Sequence, residues 1–191
     1  MNTPIKIVAF AGSLRKESLN HVLATAVANA AQLADSGAEI EVIQLSDFDI
    51  PLFNEDLEKI GPIDGVERLK AKIRDADGLI VASPEYNGSI SGVLKNALDW
   101  VSRTAPNTTP AFANTTVALV ATSPGGLGGI RALPHVANIF AGMGALVLSK
   151  QLAVGGGYQA FDNAGGLNDD TMQQQVNALA SSLVDTATKL R

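Results

Sequence analysis

Ile5-Lys6-Ile7-Val8-Ala9-Phe10-Ala11-Gly12-Ser13-Leu14-Arg15-Lys16-Glu17-Ser18-Leu19-Asn20 is the stretch on which the fold turns. Ile5 to Ala11 is an apolar run that reads as a buried β-strand, and Val22-Leu23-Ala24-Thr25-Ala26-Val27 beyond it reads as a helix. A strand, a small polar loop and a helix start together make an anion site, because unpaired backbone N–H groups and the positive end of the helix dipole point at whatever the loop holds. Ser13, Ser18 and Asn20 add neutral donors, and Arg15 adds a fixed charge with forked donor geometry. The expectation is a phosphate cradle at the carboxyl end of the first strand. The plainer alternative is a polar loop that caps a helix, with Ser18 as N-cap.

Working outward, apolar segments alternate with helical patterns about five times. The first helix runs roughly 18–35, with Leu19, Val22, Leu23, Ala26, Ala30 and Leu33 at i, i+3, i+4 spacing, and Ser36-Gly37 stops it. Residues 38–44 largely alternate apolar and charged, which predicts a half-exposed strand on a sheet edge. Residues 46–62 read as a long acidic loop and 63–75 as a helix. Gly78–Ala82 and Thr116–Ala121 are continuously apolar and read as central strands, separated by a helix over 91–104. A Gly-rich turn leads to a helix ending near Met143, with an interruption or bend expected at Pro134. A fifth strand starts at Ala145–Leu148, a Gly/Asn-rich loop covers 158–167, and the last helix covers 168–190.

This alternation implies an α/β three-layer sandwich: a five-stranded parallel sheet with helices on both faces. An exposed second strand fits the flavodoxin-like order 2-1-3-4-5, in which the ligand sits beyond the carboxyl ends of the strands, at the switch between strands 1 and 3. The loops after strands 1, 3 and 4 should therefore converge. With 191 residues and no linker-like stretch, residues 1–191 read as one domain long enough to need no staple. The absence of cysteine excludes disulfides, thiolate metal sites, Fe–S clusters and a cysteine nucleophile. A net charge of −5 argues against nucleic acid or an anionic membrane as partner. No apolar run approaches the roughly 20 residues of a membrane span. The chain enters its first strand almost at once, without a secretion signal, so a cytoplasmic location is expected.

The loop after strand 1 is neither a Walker A loop nor a G-x-G-x-x-G turn. The loop after strand 3, Ser83-Pro84-Glu85-Tyr86-Asn87-Gly88-Ser89-Ile90-Ser91, is longer than an ordinary βα connection, and Asn87-Gly88 favours positive φ. Such a turn presents successive amides to a flat ligand, and Ser89 or Ser91 caps the next helix. The loop after strand 4, Thr122-Ser123-Pro124-Gly125-Gly126-Leu127-Gly128-Gly129, has glycines that let backbone approach a ligand, but not the spacing of a dinucleotide turn. On the third helix Lys95 either pairs with Asp99 in solvent or faces an anionic group, and Trp100 reads as core or interface.

Gly-Ser-Leu-Arg-x-x-Ser-x-Asn after strand 1, Pro-Glu-Tyr-Asn-Gly-Ser after strand 3, Leu-Lys-Asn-Ala-Leu-Asp-Trp on the following helix and Ser-Pro-Gly-Gly after strand 4 resemble the NAD(P)H-dependent FMN reductase family, which includes quinone, chromate and azo-dye reductases. The resemblance runs over most of 5–150. It implies non-covalent FMN, with Ser13, Arg15, Ser18, Leu19 and Asn20 on the 5′-phosphate. It puts Pro84, Glu85, Tyr86 and Asn87 along the isoalloxazine, largely through backbone atoms, and Ser123 with Gly126 on its other side. It also implies a homodimer or homotetramer, with residues 49–56 and 95–100 helping to build the interface and substrate cleft. Ser91 stands where relatives often carry proline.

The implied activity is hydride transfer from NAD(P)H, as co-substrate, to the flavin, and then electron transfer to a small-molecule acceptor such as a quinone, free flavin, azo compound or chromate. The chemistry belongs to the flavin, so no catalytic side chain and no metal are expected; His21 and His135 read as surface or satisfied core, and Asp47, Asp49, Glu55, Asp56 and Glu58 as a solvated loop. The alternatives are a flavodoxin-type electron carrier and a non-catalytic module. The carrier lacks support from its usual Thr-x-Thr-Gly-Asn-Thr loop and bracketing aromatics. Arg131 is a weak candidate for the 2′-phosphate of NADPH.

Overall fold

The computed structural model describes residues 3–104 and 109–191. Its sheet is parallel: β1 (Lys6–Ala11), β2 (Glu39–Val42), β3 (Gly78–Ala82), β6 (Thr116–Thr122) and β7 (Leu146–Val147) lie in the order β2-β1-β3-β6-β7. β8 (Leu152–Val154) also pairs with β6, beside Val120–Thr122. The fifth strand is thus split. β7 faces the start of β6, the exposed polar Ser149-Lys150 steps out of the sheet, and β8 returns to the carboxyl end of β6. This is the 2-1-3-4-5 order, with its last position filled in two pieces.

The central strands are apolar throughout because both faces are covered. Ile7, Ala9, Ile80, Ala82, Ala118 and Val120 point to the layer holding α1 (Leu19–Ala34) and α7 (Asp170–Leu190). Val8, Phe10, Leu79, Val81, Leu119 and Ala121 point to α3 (Asp64–Arg74), α4 (Gly92–Val101) and α5 (Ala132–Gly142). Small side chains dominate the first face, so the alanine-rich α1 packs close beneath the carboxyl ends of β1 and β6. β2 is the edge, with Glu39 and Glu41 exposed; charge on an edge strand opposes pairing with another chain.

Three local expectations are revised. Residues 46–62 are not plain loop: a 3₁₀ turn spans Leu45–Phe48 and α2 spans Glu55–Ile60. Asn54 caps α2 by accepting from Asp56 N–H, and Glu55, Asp56 and Glu58 stand in the first turn, where the dipole favours them. α2 buries no side chain, so it leaves no apolar periodicity to read. Pro134 does not interrupt its helix, because it falls in the first turn of α5, where its missing N–H is not needed. Within 158–167, the short α6 (Gly157–Ala160) and a Phe161–Leu167 bridge add order.

Candidate functional site

The loops after β1, β3 and β6 meet beyond the carboxyl ends of those strands. They line one cleft of about 80 Å³, walled by Ser13, Arg15, Ser18, Leu19, Asn20, Pro84, Glu85, Tyr86, Thr122, Ser123 and Pro124. Asn87 and Gly126 lie outside this lining. Thr122 and Pro124 belong to it without having been singled out; both lie in the loop the sequence marks, Thr122 as the last residue of β6.

Ser18 is the N-cap of α1: its Oγ accepts from His21 N–H at 3.3 Å, which leaves its own proton free to donate into the cleft. Leu19 and Asn20 open the first helical turn, where backbone N–H groups have no intrahelical acceptor. Arg15 is exposed; its backbone N–H donates to Ser13 Oγ and its guanidinium to Glu17 carbonyl at 3.2 Å, and among the described residues no carboxylate pairs with it. Asn20 is tied to the end of β6 by its side chain. Its side chain is buried, and both ends of the amide are bonded to Thr122: Nδ2 donates to Thr122 carbonyl at 2.9 Å, and Oδ1 accepts from Thr122 N–H at 3.0 Å.

The segment after β3 is a small antiparallel ribbon, β4 (Glu85–Tyr86) with β5 (Ser89–Ile90). Asn87 (φ 54°) and Gly88 (φ 76°) form its turn, the Asn-Gly pairing in which both central residues take positive φ. This places Asn87 at the ribbon tip. Arg131, at the N-terminus of α5, holds the other end. Its Nε donates to Glu85 Oε1 at 2.6 Å and its backbone N–H to Oε2 at 3.1 Å. Hydrogen bonding from that guanidinium holds the Glu85 carboxyl below the usual carboxylate range, so Glu85 is a charged strut and not a proton donor. Arg131 is therefore committed to Glu85. One helical turn on, His135 Nδ1 meets Ser89 Oγ at 2.8 Å, tying β5 to the same helix.

The glycines after β6 divide by role. Nothing but the Ser123 hydroxyl lies near a Cβ built on Gly125 or Gly126, whereas Gly128 and Gly129 have positive φ and press on Val154–Gly155 and Ala121. A Cβ on Gly155 would stand 2.3 Å from Gly126 carbonyl, so the two loops lie backbone to backbone. Gly157 N–H donates to Ser123 carbonyl at 3.0 Å and Gly156 N–H to Gly125 carbonyl at 3.2 Å. The Gly155-Gly156-Gly157 run buttresses the cleft wall; its three glycines in a row were the available signal.

A second cavity of about 320 Å³ is lined by Leu14, Leu45, Ile50, Leu52, Val93 and Ala97 with Asp49, Ser46 and Asn96. Its outer wall is held from α4. Asn96 donates to Pro51 carbonyl at 2.8 Å and accepts from Phe53 N–H at 2.7 Å, while Trp100 Nε1 donates to Pro51 carbonyl at 2.8 Å. Lys95 pairs with Asp99 at 2.6 Å, which is the plainer of its two readings.

Three loops meeting in one cleft at the switch point of a doubly wound parallel sheet define a flavodoxin-like fold. A family model described as NADPH-dependent FMN reductase matches residues 5–159. The chain is 39% identical over 184 residues to an NAD(P)H-dependent FMN reductase of Pseudomonas aeruginosa, covering 94% of this chain and 95% of the relative. It is 37% identical over 193 residues to an NAD(P)H:quinone oxidoreductase of Solanum tuberosum, covering 98% and 95%. The solved structure of FerB, a flavoenzyme NAD(P)H:(acceptor) oxidoreductase of Paracoccus denitrificans, aligns with a TM-score of 0.83 at 29% identity, over 97% of this chain and 98% of that one. The chain belongs to the NADPH-dependent FMN reductase family, and is an FMN-dependent NAD(P)H oxidoreductase.

Proposed function

We propose that Ser13, Arg15, Ser18 and the amides of Leu19 and Asn20 hold the FMN phosphate, and that Pro84–Asn87 and Ser123–Gly126 flank the ring system. The observation that carries this is the meeting of three sequence-distant loops in one cleft whose donors suit a phosphate monoester. A fixed cation, two hydroxyls and first-turn amides at the positive end of a helix all favour a dianion. Glu85, the carboxylate in the lining, is already neutralised by Arg131 and does not oppose that charge. The cleft, about 80 Å³ in volume, suits the phosphate and leaves the ring to the mouth between the ribbon and Ser123-Pro124. Bound there, FMN supplies two-electron redox chemistry between NAD(P)H and an acceptor. The protein's part is to anchor, orient and limit access.

Within the class of small-molecule acceptors, a quinone is the favoured substrate. Relatives named as quinone reductases support this, as does the apolar lining of the cavity beside Leu14. Leu14, Tyr86, Leu127 and Ile130 leave large apolar side chains exposed on the loops around the cleft, which supports a homodimer or homotetramer that covers them. The reading also includes a cytoplasmic location and one FMN domain over 1–191. Flavin-fluorescence titration of apo-protein, followed by anaerobic stopped-flow mixing with NADH and NADPH, tests it. Stoichiometric FMN quenching and rapid bleaching are expected. Protein that neither quenches FMN nor bleaches with either nicotinamide overturns the site; a monomer by light scattering at micromolar concentration overturns the oligomer.

A further inference from the structure

We propose that Ser91 is a positioning residue for the cofactor phosphate, acting through the Gly12 peptide. Ser91 is 1% exposed and lies outside the cleft lining. Its Oγ accepts from Leu94 N–H at 3.1 Å, the N-cap bond of α4, and donates to Gly12 carbonyl at 2.6 Å. A hydroxyl has one proton, and here Gly12 takes it. Gly12 N–H in turn donates to Ala82 carbonyl at 2.9 Å. Both polar groups of Gly12 are therefore held by the β3–α4 segment.

The consequence falls on the next amide. Across a trans peptide the C=O and N–H point in opposite directions. With Gly12 carbonyl turned to Ser91, the Ser13 N–H is turned away from α4, on the side where Ser13 lines the cleft. Gly12 has no side chain to hold this orientation, and none fits: a Cβ there would lie 2.7 Å from Leu94 Cβ and 3.1 Å from Ser91 Oγ. Without the hydroxyl, the buried carbonyl has lost its donor. The peptide is then free to rotate its oxygen toward the cleft, where it repels an anion and withdraws the Ser13 amide.

This role rests on the FMN reading and has a signature that a merely structural role lacks: it discriminates FMN from riboflavin, which has no phosphate. The test titrates apo-protein with each flavin by fluorescence, for wild type, Ser91→Gly, Ser91→Ala and Ser91→Thr, with thermal melts of each. Glycine is tolerated at an N-cap with small loss, whereas alanine is not, so agreement between them separates positioning from capping. FMN affinity is expected to fall about tenfold in the glycine and alanine variants, the scale of one charged hydrogen bond lost, with riboflavin affinity unchanged and threonine restoring FMN. Parallel loss of both flavins, or an unchanged FMN preference in a folded variant, overturns the proposal. A wild type that does not prefer FMN over riboflavin overturns the FMN reading itself, and this role with it.

Discussion

Asn20→Ala separates two roles for the same residue. In the first, the amide contacts the ligand; in the second, it clamps the start of α1 to the end of β6. The structure has both amide groups bonded to Thr122, at 2.9 and 3.0 Å, in a pair of residues 5% and 2% exposed. Truncation leaves a buried N–H and a buried C=O without partners, each costing about 1–3 kcal/mol. Water entering the space left by the amide recovers part of this, so the expected loss is about 2–4 kcal/mol. At roughly 2–4 °C per kcal/mol for a chain of this size, the melting temperature should fall by roughly 5–15 °C. The assay is urea unfolding of apo-protein followed by circular dichroism, with Asn20→Asp as the partner variant. Aspartate keeps an acceptor for Thr122 N–H but sets a carboxylate oxygen against Thr122 carbonyl, so it should not rescue stability. A loss under about 0.5 kcal/mol with weakened FMN binding would refute the clamp and return the side chain to the ligand.

Arg15→Ala should weaken FMN binding by about 1–3 kcal/mol without changing the apo-protein melt, since its side chain makes no carboxylate pair; unchanged affinity by fluorescence titration removes it from the phosphate site. Glu85→Gln should flatten the acid limb of stability. The folded-state pKa of Glu85 is lowered, so its contribution is complete above the unfolded carboxyl value, about 4.3, and is lost as pH falls through the lower folded value. Melting curves from pH 7 to 3 that are parallel for wild type and variant would contradict this. Asn96→Ala should loosen Pro51–Phe53 on α4, where Trp100 still holds the Pro51 carbonyl, and cost about 1–2 kcal/mol, read as faster limited proteolysis within residues 49–54 together with a lower melt; an unchanged cleavage rate counts against the tether.

The sheet was legible because burial on both faces makes β1, β3 and β6 apolar throughout, and the two facing layers merely divide their alternate residues. The Ser18 cap was legible because capping needs only a local hydroxyl ahead of a helical pattern. By contrast, α2 escaped detection because it buries nothing. The split of the last strand depends on where Ser149-Lys150 leaves the sheet relative to β6, which no local pattern encodes. Family position grouped Asn20 with the phosphate-binding residues, and Arg131 stood as a candidate for the 2′-phosphate of NADPH. Long-range geometry assigned their side chains to Thr122 and Glu85 instead.

By itself, then, the sequence determined the layers, the strand order and the loops that meet beyond the strand ends, since hydrophobic periodicity and turn chemistry are local properties of the chain. Only the tertiary structure decided which polar groups in those loops remain free. A donor such as the Asn20 amide or the Ser91 hydroxyl is available to a ligand only if no backbone group 79 or 102 residues away has already taken it, and that depends on distances that folding alone creates.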